Sequence, residues 1–435
     1  MAQYLLAVAI LVLTGSIAWG QGTARTPGSL PEPLTLGFAL SEASASHPEL
    51  DEAQARIHVA RARIEQERSK NRLQSFMSER LRWAEPADNV FRQRSDDHAV
   101  GLFFRQRLYD FGRSGAEMEA AEARLSGSEW DYIVTEQQRR IAVAQRFFDV
   151  IVADLQFARD NEAMATAFIK FDRARERNEL GQVSDVDLLR LEASYHAARS
   201  TRYASQLQQR ATRSGLANAL NRPGQLPTDL VTPELPYSSR ERGEVEGLTR
   251  GALAANARLK ALRARVESAR KTMRAVRAQR YPVVSSEVDV ARYSPHFGTS
   301  REPARGGITL EVPLSTGGRI DAVLAEHRAE LQGITARLAG RELEVRQLVL
   351  GLWLELEGLQ VRGDELAVLR DSRELNLDRN RALYELEVAA DLGDAMVEIS
   401  DLRLREAELE FRTAIVWAQL DALRGQRVLR EVRDR

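Results

Sequence analysis

From Ser114 to Glu179 the chain runs without a proline, and its apolar residues recur in steps of three and four: Ile141, Ala144, Phe148, Ile151, Leu155 and Ala158. That spacing is the seam of a coiled coil. A helix of about 65 residues would be roughly 100 Å long at 1.5 Å per residue. It is stable only when packed lengthwise against others. Val345, Val349, Leu352, Leu356 and Leu359 repeat the pattern in the second half. Helices of this length exclude an ordinary compact domain and predict an elongated bundle.

Each long helical run follows an alternating stretch that ends in Gly-Arg. "VGLFFRQRL" puts Val100, Leu102, Phe104 and Leu108 on one face and Gly101, Phe103, Arg105 and Arg107 on the other. "GITLEVPL" does the same with Ile308, Leu310, Val312 and Leu314 against Thr309 and Glu311. Period-two alternation predicts a sheet whose two sides meet unlike environments. Weaker partners precede both, and turn-rich "AEPADN" and "SPHFGTSREPARG" join them. The expectation is two hairpins, with strands at about 73–84 and 98–109, then 281–293 and 305–315. Gly112-Arg113 and Gly318-Arg319 mark the two strand-to-helix junctions, where glycine permits torsions that other residues resist. If the hairpins enter a membrane, the arginines stand near its edge, reaching water or lipid phosphate; otherwise Gly-Arg simply ends a strand.

The two Gly-Arg pairs lie 206 residues apart, and the offset persists. It takes Phe147 to Trp353, Gly181 to Glu387, Asp185 to Asp391 and Glu192 to Glu398. A register held over about a hundred residues points to internal duplication. Each half opens with a helical stretch, 36–72 and 244–279. The predicted organisation is a signal peptide at 1–20, an extended segment at 21–34 and a first repeat at 35–220. A proline-rich linker at 221–243, a second repeat at 244–424 and a short tail at 425–435 follow. The signal peptide rests on the apolar "YLLAVAILVL" and on small residues Ala18 and Gly20 before a cleavage point.

Composition excludes several function classes. There is no cysteine, so disulfides and thiol chemistry are absent. The six histidines form no close metal-spaced pair. Net charge is −1, which leaves no general nucleic-acid footprint. No nucleophile with its base, phosphate loop or metal cluster stands out, so no enzyme and no cofactor are expected. Glycines 333, 340, 351, 358 and 363 are frequent for a helix and suit close helix packing or bending.

The tandem organisation, "LYDFGR" and "PLSTGGR" at the junctions, and "ELGQVSDVDLLRLEASYHAARS" at the first helical turn resemble the TolC family of outer-membrane efflux proteins. The resemblance covers about Leu34 to Arg424. It implies a mainly α fold with a membrane β-barrel part: a homotrimer in which each chain gives four strands to a shared twelve-stranded barrel, continued by a periplasmic α-barrel. It implies outer-membrane lipid around the barrel, and a periplasmic adaptor and an inner-membrane pump or exporter as partners. Function would be the passive outer-membrane duct of a tripartite efflux system. The duct of a type I protein secretion system and a periplasmic coiled-coil scaffold are the alternatives.

Within that resemblance the turn Leu180, Gly181, Gln182, Val183 and Ser184 becomes the periplasmic tip where an adaptor docks. Asp391 and Asp394 become candidates for an acidic aperture, with Asp185 and Asp187 as their first-half counterparts. The plainer reading of Asp185 and Asp187 is a helix start, with Ser184 as N-cap and Asp187 three residues on. The family often has glycine at the place of Glu387 and an acidic residue at that of Gly393.

Overall fold

The computed structural model describes residues 30–45, 47–83, 96–237, 240–293, 302–386 and 391–429. The expected signal peptide, most of the 21–34 segment, most of both hairpin turns, Glu387 and the end of the tail lie outside these residues.

The opening stretch 36–72, expected as one helical unit, is two helices, α1 (Leu36–Ala43) and α2 (Pro48–Ser69). Pro48 causes the break. It stands at the first position of α2, where a missing N–H costs nothing, and His47 Nδ1 accepts from Glu49 N–H at 3.2 Å. A hairpin of β1 (Gln74–Trp83) and β2 (Asp96–Tyr109) follows. Then α3 (Arg113–Glu179) runs for 67 residues and α4 (Asp185–Ala219) returns.

The second half uses the same order of elements. Its opening stretch, 244–279, is again split, into α5 (Val245–Ala255) and α6 (Ala257–Ala278). Asn256 makes the break by capping α6, its Oδ1 accepting from Leu259 N–H at 3.1 Å, while its amide donates to Leu423 O at 3.2 Å. After β3 (Val283–Tyr293) and β4 (Ala304–Glu311), α7 (Arg319–Glu385) also runs for 67 residues, and α8 (Leu392–Leu423) returns. β4 stops short of the expected residue 315 because Pro313 has no N–H to extend a ladder.

The four strands form one antiparallel sheet in chain order. Strict alternation would keep Leu108 on the face of Val100. A bulge removes it: Arg107 pairs with Ser285 and Tyr109 with Val284, so Tyr109 takes that place.

Near the sheet α3 packs on α2 and α6; farther along it packs on α4 and α8, and α8 packs on α7. The largest core lies midway along the helices. Phe147, Val349 and Val416 are fully buried there, and Phe148 stacks on Phe411 at 4.4 Å. The seams read from sequence pass through this core, except at Ala158, which is exposed. Below Leu155 the inward face of α3 turns polar. Asp160 is buried there, and Arg159 reaches Asp401 of α8 at 3.3 Å.

The 221–243 segment, expected as an extended connection between halves, is a docked strap. Leu34 N–H donates to Asp229 O at 2.8 Å and Val231 N–H to Leu34 O at 2.9 Å. Leu235 and Tyr237 are buried, and Arg240 lies 4.1 Å over the Trp417 ring while pairing with Asp421 at 2.8 Å. The start of the tail is docked as well, with Val428 and Leu429 buried. Two buried arginines of α3 tie these pieces down. Arg139 donates to Ala43 O and Arg140 to Leu40 O and Val428 O, each at 3.1 Å. Burial lowers both guanidinium pKa values from the ordinary arginine range.

Candidate functional site

The sheet has two unlike faces. Register places Met77, Leu102, Val290 and Ala304 in one row, and Tyr109, Val284 and Leu310 in another on the same side. The helices leave this side open: Leu102 is 48% exposed, Leu310 61% and Ile308 72%. Apolar surface in water is unfavourable by about 25 cal/mol per Å², and a continuous patch of it marks a contact with membrane or protein. The opposite side carries cross-strand ion pairs, Arg105–Glu287 at 2.8 Å and Arg305–Asp289 at 3.4 Å. Arg80, Arg107, Ser285 and Thr309 share that side, with Phe76 and Phe103 as aromatic exceptions. Among the described residues the outer edges of β1 and β4 pair with no strand. No described helix is long and apolar enough to cross a membrane.

At the junctions Gly112 has φ 85°, ψ 8° and Gly318 φ 81°, ψ −4°, both left-handed and both immediately before a 67-residue helix. Nothing lies within 4 Å of a Cβ built on either, so the requirement is one of backbone alone. Arg113 folds back on Glu117 at 3.1 Å, whereas Arg319 is exposed.

Sequence reading missed Asp110, the buried residue that holds the first junction together. Its Oδ2 accepts from Ser114 N–H at 2.9 Å and Arg107 Nη1 at 3.3 Å, and Ser114 Oγ donates on to Asn71 Oδ1 at 2.8 Å. An acidic residue just before Gly-Arg was the available signal. Tyr109, Phe111 and Tyr281 gather at the same level, with ring centroids 4.8 and 5.9 Å apart, where strands give way to helices. Aromatic rings at such a level suit a membrane–water boundary.

At the far end, Leu180 to Ser184 form the α3–α4 turn. Gly181 has φ 70°, and its N–H and that of Gln182 close the last turn of α3 on Asn178 O and Arg177 O at 2.8 Å. Leu180 is 71% exposed. Asn178 Nδ2 donates to Val183 O and Asp185 Oδ1, each at 2.9 Å. Ser184 Oγ accepts from Asp187 N–H at 3.1 Å, and Asp187 pairs with Arg190 at 2.7 Å.

The start of α8 lies at this same end. Asp394 pairs with Lys170 of α3 at 2.6 Å, and Gly393 sits so near α3 that a Cβ there would meet Thr166 Oγ1 at 2.8 Å. Asp391 precedes α8 with no side-chain cap bond, and its N–H donates to Asn380 Oδ1 at 3.2 Å. Asp185, Asp187 and Asp394 are therefore engaged by neighbours, and Asp391 is the least engaged of the four. Among the described residues no group of His, Asp and Glu could hold a metal ion.

Residues 39–222 and 248–426 match the family model described as outer membrane efflux protein. No curated protein matches the sequence. The fold is shared with solved outer-membrane proteins. The outer membrane protein VceC of Vibrio cholerae is 17% identical with a TM-score of 0.69, covering 90% of this chain and 96% of that one. The CmeC outer membrane channel of Campylobacter jejuni is 13% identical with a TM-score of 0.72, covering 90% and 85%. The MtrE outer membrane channel of Neisseria gonorrhoeae in its open state is 17% identical with a TM-score of 0.68, covering 90% and 89%. Because the family match takes in most of both halves, the chain belongs to the outer membrane efflux protein family, and is an outer-membrane channel with a periplasmic helical part and not an enzyme.

Proposed function

We propose that three copies of the chain assemble into a passive duct, the outer-membrane component of a tripartite efflux system. The observation that carries this reading is a four-stranded sheet with one open apolar face and two unpaired edges. Closing a membrane barrel takes about eight strands at least, and open edges in lipid leave backbone groups unsatisfied. Pairing β4 of one copy with β1 of the next closes a barrel of twelve strands. The apolar face then meets lipid, and the Arg105–Glu287 and Arg305–Asp289 pairs line the lumen.

The helices support the same assembly. Along α7, Leu354, Val361, Val368 and Leu375 recur every seven residues and are exposed. A heptad-spaced apolar row is a contact seam for another helix. Gly333, Gly340, Gly351 and Gly358 face open space on the same element and allow close approach. Thus α7 runs along the next copy, and the two repeats of each chain build one periplasmic α-barrel.

The Leu180–Ser184 turn is the docking tip for a periplasmic adaptor, which links the duct to an inner-membrane pump. With Asp394 neutralised by Lys170, Asp391 supplies the acidic ring of the aperture. Planar-bilayer conductance tests this: Asp391→Ala is expected to reduce cation preference and block by multivalent cations. Unchanged selectivity and block, with assembly intact, would assign Asp391 to the helix start alone.

A further inference from the structure

Midway along the helices, a cavity of about 450 Å³ opens between α3, α7, the first turn of α6 and the last turn of α8. It exists because α6 begins where α8 ends. Asn256 links the two ends through Leu423 O, and two helix ends fill a groove less completely than a continuous helix does. Ile141, Val345, Leu348 and Leu352 give it an apolar wall.

Its charge is one-sided. The charged residues that line it are both arginines, Arg258 and Arg341, and no carboxylate does. Arg341 pairs with Glu344 on its own helix. Arg258 stands in the first turn of α6 and has no ion pair or side-chain hydrogen bond among the described residues. The positive end of the α6 dipole adds to it. Burial, and then the positive charge of Arg341, lower the Arg258 pKa from the ordinary arginine range; Asp131 and Glu344 oppose this from outside the lining. Partial burial strips such a guanidinium of some of its water, and an anion in the cavity would restore those contacts as charge-assisted hydrogen bonds.

We infer that this cavity binds an organic anion with an apolar body, its carboxylate held by Arg258 and the N-terminal turn of α6 while its body lies against the Val345–Leu352 wall. The anion is either cargo moving through the duct or a fatty carboxylate drawn from the membrane.

The test uses the purified full-length protein in amphipol, in the assembly it forms. Calorimetry compares 2-naphthoate with 2-naphthylmethanol and a trimethylammonium analogue. Naphthoate is expected to bind at least tenfold more tightly than either. Arg258→Ala should abolish that preference, Arg258→Lys should keep part of it, and Leu348→Trp should block all three probes with helix content and assembly unchanged. Equal binding of the three probes, undiminished preference in Arg258→Ala, or no binding at all overturns the proposal; the last outcome means that a neighbouring copy fills the cavity.

Two readouts separate the sources. Mass spectrometry of an organic extract that finds a fatty carboxylate in the wild type and not in Arg258→Ala supports a membrane source. Naphthoate export from cells that falls several-fold in Arg258→Ala supports cargo. Failure of both leaves the cavity without a natural occupant and overturns the proposal. Neither readout depends on whether Asp391 sets the channel's selectivity.

Discussion

Gly112 and Gly318 are needed for their torsions and for nothing else, since no atom crowds either position. Alanine at Gly112 should therefore destabilise the fold by about 1–2 kcal/mol, the cost of a left-handed L-residue, and lower the thermal midpoint by a few degrees. Gly393 is needed for the opposite reason. Gly393→Ala should push α8 away from Thr166, and Thr166→Ala should restore much of the lost stability; a non-rescued double variant would contradict the close approach as the cause.

Glu117 gives a prediction in pH. Burial opposes its charge, but Arg113 and Lys70 prevail and hold its carboxyl below the ordinary range. A depressed folded pKa contributes stability above the unfolded value that is lost as pH falls through the folded one. The Tm of wild type should fall more steeply than that of Glu117→Gln on acidification below the ordinary carboxylate range. Parallel curves would remove Glu117 from the acid response.

The junction glycines were legible because they recur at one offset. Asp110 and the Lys170–Asp394 pair were not, since Arg107 and Ser114 converge on Asp110 only when the chain bends from strand to helix, and Lys170 meets Asp394 only once α8 has packed on α3.

Element length was the most legible property. An unbroken heptad pattern without proline reads directly as a long helix, and two 67-residue helices result. The breaks at Pro48 and Asn256 were harder, because α1 and α5 are short helices set apart by a cap rather than by a change of pattern. The strap at 221–243 illustrates a different limit. Its prolines suggest an extended path, but Trp417, Asp421 and Leu34 decide where it lies. The bulge at Leu108 likewise depends on the partner strand. At this scale the exposed row on α7 makes the sharpest prediction. Val368→Asp should leave helix content unchanged by circular dichroism and reduce assembly at least tenfold on native gels. Normal assembly would move the contact seam off α7.

For the whole molecule, one polarity runs through every level. The uncovered apolar sheet stands at one end, two 67-residue helices lead away from it, and the α3–α4 turn and the start of α8 lie at the other end. A single chain cannot satisfy that sheet, whose edges and apolar face both require partners. The number of copies in the assembly therefore decides whether the sheet can close. Native mass spectrometry of the detergent-extracted protein measures it directly. The expected mass is that of three chains, with the strand signal retained by circular dichroism and lost together with the trimer on dissociation. A folded single chain that keeps its strand signal in detergent would contradict the shared barrel.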